Sequence, residues 1–260
     1  MMKILETPQA FREWREEQAK LVGFVASRRV GFVPTMGALH EGHASLLKRA
    51  RAQSDVVVLS IFVNPAQFND PNDFQKYPKT WEQDLEIARR EGVDAIFAPR
   101  APDMYPDGYK YKVTENEVST VLCGASRPGH FDGVLSVVMK LFQIVQPTKA
   151  YFGEKDYQQL SLIRGMVDAF FLPLEIVPVE TMREADGLAM SSRNRRLTPE
   201  QRAQAPRIYQ IIVKASSSDE ARRQLEAEGF KVDYVLDREN RRFVAVFMGE
   251  VRLIDNVELQ

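Results

Sequence analysis

Two of the chain's three histidines lie three residues apart, in His40-Glu41-Gly42-His43. They follow Val30-Gly31-Phe32-Val33-Pro34, an apolar run that reads as a short buried strand closed by its proline, and a Thr35-Met36-Gly37 turn. A helix is expected to start there and to run to about Gln53. Helix N-termini carry unpaired N–H groups and a partial positive charge, so phosphates settle on them. Two imidazoles would add donors for a polyphosphate, and Gly37 and Gly42 would let backbone approach closely. A pair of capping or metal-binding histidines in a surface loop is the plainer alternative.

A second group is Gly153-Glu154-Lys155-Asp156-Tyr157-Gln158-Gln159, placed just after another strand candidate, Lys149 to Gly153. Lys155 is a compact charge suited to phosphate oxygens. Asp156 can hold ribose hydroxyls or cap the helix that follows, and Gln159 lies at most one turn inside that helix. A third is Met190-Ser191-Ser192-Arg193-Asn194, in a stretch from Arg183 to Arg207 where six Arg face two Glu and one Asp. Two hydroxyls and a guanidinium in a segment containing Gly187 can close over phosphates and follow charge onto a transition state. A covalent role for Ser191 or Ser192 is disfavoured, because no Gly-x-Ser-x-Gly elbow surrounds them. A Walker loop is absent as well. Asn64 and Gln67, in Phe62-Val63-Asn64-Pro65-Ala66-Gln67-Phe68, offer amides for a small polyol or acid, and Arg127 to Gly133 offers further polar groups in a Gly-bracketed loop.

These residues need a frame. Asp55 to Val63 is β-branched and nearly all apolar, the pattern of a strand covered on both faces. Thr7-Pro8 opens a helix marked by Phe11, Trp14, Gln18 and Leu21 or Val22. Thr80-Trp81-Glu82-Gln83 has the spacing of a capping box for a helix closing at Gly92. Asp94 to Pro99 and Leu174 to Val179 read as strands, Val134 to Val145 as a buried helix. Strands alternating with helices predict an α/β fold, a Rossmann-like doubly wound parallel sheet over residues 1–181, with ligands beyond the C-terminal ends of the strands. Residues 182–260 read as a small C-terminal α+β lid domain, with a Thr198-Pro199 helix start, a Ser216-Ser217-Ser218 hinge, a charged helix ending at Gly229, and strands near Val232, Phe243 and Val251.

Composition narrows the function classes. With 35 Lys plus Arg against 36 Asp plus Glu, the formal charge is −1, which does not advertise nucleic acid. Apolar runs at Val56–Val63 and 136–145 fall short of the roughly 18 residues that a bilayer crossing needs. A carboxylate and a proline near the N-terminus read against a secretory signal. Cys123 is alone, which excludes an internal disulfide and suits a reducing cytosol. A cytoplasmic protein is expected, without nucleic acid or membrane partners.

The segments Pro34 to His43, Phe62 to Phe68, Phe152 to Gln159 and Arg183 to Asn194, with Arg252-Leu253-Ile254-Asp255-Asn256, resemble in order the signature segments of the pantoate-β-alanine ligase family. That family belongs to a nucleotidyltransferase superfamily with HxGH and KMSKS-like signatures. The resemblance implies ATP-dependent joining of pantoate to β-alanine through a pantoyl adenylate, with Mg²⁺ assisting and AMP and pyrophosphate released. By similarity, His40, His43, Lys155, Ser191, Ser192 and Arg193 would hold the phosphates, with Met190 and the backbone at Met36. Gly153 and Asp156 would contact the ribose, Gln67 and Gln159 the pantoate, and Asn64 the β-alanine site; Asp84 would touch Mg²⁺ or its waters. The resemblance also implies a homodimer through the N-terminal domain, to which the Asp55–Val63 strand and the Pro- and Tyr-rich stretch from Pro99 to Val121 would contribute. Between Tyr209 and Phe243 the chain looks shortened. A class I aminoacyl-tRNA synthetase core shares the His-x-Gly-His logic but would bring a tRNA-binding surface; a non-catalytic nucleotide-binding module would need no pantoate pocket.

Overall fold

The computed structural model describes residues 2–20 and 29–259. The large layer is a six-stranded parallel sheet in the order β1-β4-β3-β2-β5-β6. Its strands are β1 (Lys3–Leu5), β2 (Val30–Thr35), β3 (Val56–Ile61), β4 (Ala95–Phe97), β5 (Lys149–Gly153) and β6 (Glu175–Val179). Helices α1 (Pro8–Lys20), α2 (Glu41–Gln53), α3 (Pro71–Gln75), α4 (Trp81–Arg90), α5 (Ala101–Met104), α6 (Cys123–Ser126), α7 (His130–Val145) and α8 (Tyr157–Ala169) connect them.

Alternation along each strand divides the core in two. Phe32, Val58 and Phe97 pack with Phe11 and Trp14 of α1 and with the apolar face of α7. Their neighbours Val33, Leu59 and Ile96 pack with Leu47 of α2 and Leu85 and Ala88 of α4. Both faces are therefore dry, as the unbroken apolar run at 56–59 requires. β3 lies inside the sheet, and its Val56 to Leu59 are buried in the chain's own core, which leaves Asp55, Ile61 and Val63 as the partly or fully exposed residues of the 55–63 segment. The stretch from Pro99 to Val121 also folds back in part: Lys140 of α7 donates to the Met104 carbonyl at 3.0 Å, and Val113 N–H donates to Ser136 at 2.8 Å.

Some local expectations need correction. Thr80 precedes α4 but makes no side-chain cap, because its hydroxyl donates to Asp84 at 2.9 Å instead. Asp156, at the start of α8, also makes no capping bond. Strand β1 and helix α3 were not foreseen, and Leu21 and Val22 lie outside the described residues. Thr7 does cap α1, accepting from Ala10 N–H at 3.1 Å. Gly92, with φ +70°, ends the turn after α4.

After β6 the architecture changes. Helices α9 (Pro199–Gln204), α10 (Arg207–Lys214) and α11 (Ser218–Ala227) pack on an antiparallel sheet of β7 (Lys231–Arg238), β8 (Arg241–Met248) and β9 (Val251–Glu258). Its own core includes Ile208, Ile212, Leu225, Val244 and Val246.

Candidate active site

The large sheet reverses its order at β2, which has β3 on one side and β5 on the other. Along β3 the β2 ladder runs from Val30 to Thr35, but against β5 only Gly31 and Phe32 pair, with Lys149 and Ala150. Beyond Phe32 the two strands part. A cavity of about 230 Å³ opens there, lined by Met36, His40, His43, Gln67, Gly153 and Met190 among others. An adjoining cleft of about 610 Å³ lies between the large sheet and the small one. Lys155, Asp156, Gln159, Ser191 and Arg193 line both.

The histidines are fixed by the helix they begin. His40 Nδ1 accepts from Gly42 N–H at 3.1 Å, and His43 Nδ1 accepts from His40 N–H at 3.3 Å. With both Nδ1 atoms accepting, each neutral imidazole carries its proton on Nε2, the tautomer that donates to an oxygen. Gly42 is required because a Cβ there would stand 2.8 Å from the His40 ring. Burial is the main cause that lowers the pKa of His40 to about 4, helped by Lys155, and that of His43 to about 3, helped by His40 and then Lys155. Both are neutral donors at physiological pH.

Asp84 holds the turn before them. It is 2% exposed, and its oxygens accept from Ala38 N–H at 3.0 Å, Leu39 N–H at 2.8 Å and the Thr80 hydroxyl. Ala38 has φ +51°, a left-handed conformation that a non-glycine residue keeps only when its surroundings impose it. The expected Mg²⁺ contact does not suit Asp84, whose lone pairs face the backbone of residues 38 and 39.

Asn64 is also committed. Its amide donates to Gln67 Oε1 and to the Gly133 carbonyl, both at 3.1 Å, while its oxygen accepts from Ala66 N–H and the Tyr105 hydroxyl. With 1% exposure it orients Gln67 and has no donor left for β-alanine. The Gln67 amide donates only to Met36 Sδ, at 3.1 Å, a weak acceptor that a ligand oxygen can replace. Gln159 lies in the first turn of α8, and the cavity wall between the amides is apolar, formed by Phe62, Val134, Val138 and Leu141.

The 190–196 segment closes the other side; Met190 Cβ would lie 3.6 Å from a Cβ on Gly42. Ser191 accepts from Arg193 N–H, and Ser192 is buried and hydrogen-bonds Tyr77. Neither serine meets a general base. Arg193 and Arg196 both pair with Asp73 of α3, at 3.2 and 2.7 Å. Burial alone would raise the Asp73 carboxyl, but the two guanidiniums outweigh it and hold it below its ordinary range.

Sequence reasoning missed several contributors. Tyr77, Thr181 and Met182 line the smaller cavity, the last two because β6 also ends at the crevice; that position beyond a strand end was the available signal. The Arg252–Asn256 motif acts from the small domain. Asp255 pairs with Arg183 at 2.6 Å, and the Asn256 amide donates to the carbonyls of Glu154 and Lys155, each at 2.9 Å.

A crevice at the switch point of a parallel sheet, with neutral imidazole donors at a helix mouth and a lysine across from them, defines a nucleotide-handling α/β enzyme of the HxGH type. Comparison narrows the class. A family model described as pantoate-beta-alanine ligase matches residues 3–258, and the chain belongs to that family. It is 64% identical over 259 residues to the pantothenate synthetase of Bdellovibrio bacteriovorus, covering 100% of both chains. A solved pantoate-beta-alanine ligase from Francisella tularensis, complexed with beta-gamma ATP and beta-alanine, superposes with a TM-score of 0.92 at 43% identity, covering 99% of this chain and 98% of that one. A Thermus thermophilus pantothenate synthetase gives 0.87 at 41% identity. With such coverage, the C-terminal domain is not shortened relative to these proteins.

Proposed function

We infer that this chain joins pantoate to β-alanine at the expense of ATP, through a pantoyl adenylate. The observation that carries this reading is the convergence of His40, His43, Lys155 and Arg193 with the amides of Gln67 and Gln159 in one crevice, where neither Ser191 nor Ser192 meets a general base. Adenylation needs no protein nucleophile. A pantoate carboxylate oxygen attacks the α-phosphorus, and the bond to the pyrophosphate oxygen breaks. The β-alanine amine then attacks the pantoyl carbonyl carbon, the carbon–oxygen bond to AMP breaks with its electron pair going to AMP, and the amine proton is released. Catalysis is thus positioning plus charge stabilisation.

Lys155 and the two Nε2–H groups serve the phosphate oxygens, and Arg193 joins them on leaving Asp73. Asp156, which makes no capping bond, and Gly153 would contact the ribose from the cavity wall. Gln67 and Gln159 hold pantoate polar groups, and the apolar wall suits its two methyls. The described residues contain no cluster of three or more His, Cys, Asp or Glu, so the donor set fits a Mg²⁺ carried chiefly by the nucleotide phosphates. Such an ion would neutralise polyphosphate charge. A homodimer and a cytoplasmic location are proposed from family membership; among the described residues no helix is long and apolar enough to cross a membrane.

Oxygen-18 placed in the pantoate carboxylate tests the mechanism. It is expected in AMP after turnover; label found only in ADP or inorganic phosphate would establish an acyl phosphate instead.

A further inference from the structure

Lys155, the lysine assigned above to the phosphates, stands on a slender base. It sits in a single 3₁₀ turn, Glu154–Asp156, between β5 and α8, and Asp156 makes no side-chain bond to cap that helix. The small domain supplies the missing hold. The Asn256 amide donates one hydrogen to the Glu154 carbonyl and the other to the Lys155 carbonyl, each at 2.9 Å. Those two oxygens belong to the two peptide planes that flank the Lys155 Cα. A peptide unit is rigid, so holding both planes fixes φ and ψ of Lys155, and with them the direction of its Cα–Cβ bond.

The clasp is itself held. Asn256 is 3% exposed, and its oxygen accepts from Arg241 at 2.6 Å. Arginine can only donate, so this bond settles which end of the amide faces the carbonyls. In the β8–β9 ladder Phe243 stands opposite Asn256, and Arg241, two residues along β8, shares its face. Both reach the start of α8: the Arg241 guanidinium carbon lies 4.1 Å from the centre of the Tyr157 ring, and the Phe243 ring centre lies 6.1 Å from it. Asp255 pairs with Arg183 at 2.6 Å, at the root of the segment that leads to Arg193, and so anchors the same strand at a second point. Both amide hydrogens of Asn256 are committed to backbone, which leaves it no donor for a ligand. Its influence on the reaction therefore passes through the lysine.

We propose that Asn256, oriented by Arg241, is a positioning residue that aims Lys155 at the ATP phosphates, so that adenylation in the large domain depends on a side chain of the small one. The proposal rests on the ligase reading. The lever is long: tilting Cα–Cβ by about 10–20° carries a lysine Nζ about 1–2 Å, and a misplacement of about 1 Å can slow a reaction about 100-fold. Asn256→Asp keeps the shape and removes both donors. Asn256→Asp, Lys155→Ala and the double variant are compared with the parent by pantoate-dependent ATP–pyrophosphate exchange, which reports adenylation alone, with denaturant midpoints to confirm folding. In Asn256→Asp the exchange turnover should fall about 100-fold while the KM for pantoate stays within a few-fold of the parent. In the Lys155→Ala background the same change should add less than about a twofold loss, since the group it aims is gone. Arg241→Met releases the other end of the amide and leaves its donors in place; it should lose about tenfold in the parent and almost nothing without Lys155, and it decides the matter if Asn256→Asp does not fold. A loss that is equal with and without Lys155, or exchange in Asn256→Asp within a few-fold of the parent, would overturn the assignment. A parent chain showing neither exchange nor pantothenate would overturn the ligase reading, and this inference with it.

Discussion

The loop from Gly37 to His43 and the segment from Met190 to Arg196 face each other across one cleft, yet different forces hold them. The first is fastened by backbone N–H groups to a nearly fully buried aspartate and to the histidines' own rings. The second is fastened by two guanidiniums to Asp73, itself on a short helix. Buried backbone bonds cannot be surrendered without leaving polar groups unpaired. An arginine's ion pair can be surrendered, because a phosphate offers the same fork-shaped partner. One wall is therefore fixed by buried backbone bonds, and the other by an ion pair that an incoming anion could replace.

Removing the fixed side's anchor should have the largest effect. Asp84→Ala leaves two buried N–H groups without acceptors, and a loss of about 3 kcal/mol of stability is expected, with pyrophosphate exchange slowed about 100-fold or more because the His40 ring loses its aim. Denaturant titration and exchange kinetics measure both. If exchange survives while stability falls, the turn is structural and does not aim the ring.

Acidity is a gentler probe of the same wall. The folded pKa values near 4 and 3 for His40 and His43 lie below the unfolded 6.5, so the unfolded chain takes up protons first as pH falls. Stability is unaffected above 6.5 and declines from there toward 4. For these two largely buried rings the decline from pH 6.5 to 5.5 should be about 1 to 2 kcal/mol. Proton NMR gives the direct check: neither imidazole should titrate between pH 8 and 5. A midpoint near 6.5 for His40 or His43 would remove the claim that these are neutral donors.

The smallest effect belongs to the exchangeable wall. Asp73→Asn frees Arg193 and Arg196 from a competitor, so ATP should bind a few-fold more tightly, by less than about 1 kcal/mol, and the gain should shrink as salt rises. Calorimetry at two ionic strengths resolves it. Weaker ATP binding would mean that Asp73 orients the arginines for the nucleotide instead of withholding them.

This difference also decides what could be read from sequence. The apolar run at 55–63 and the His-x-Gly-His spacing declare themselves locally, since burial on both faces and helix initiation each leave a pattern within a few residues. Asp84 does not: the sequence offered it only as a contact for Mg²⁺ or its waters, and its hold on the turn at 37–39 shows only once that turn is seen lying against it. Thr80 misled for the same reason: its hydroxyl is turned to the Asp84 carboxylate and takes no N–H of the helix. Strand β1 is three residues with no buried member, too short to show a period.

The Asn256 clasp ties the site to the order in which the chain is made. The carbonyl of Lys155 is held by an amide 101 residues further on. Synthesis runs from the N-terminus, so both histidines and the whole parallel sheet exist while the loop bearing Lys155 still lacks its tether. A nascent chain can thus form its parallel sheet first, yet the loop bearing Lys155 gains this tether only once β9 has been made.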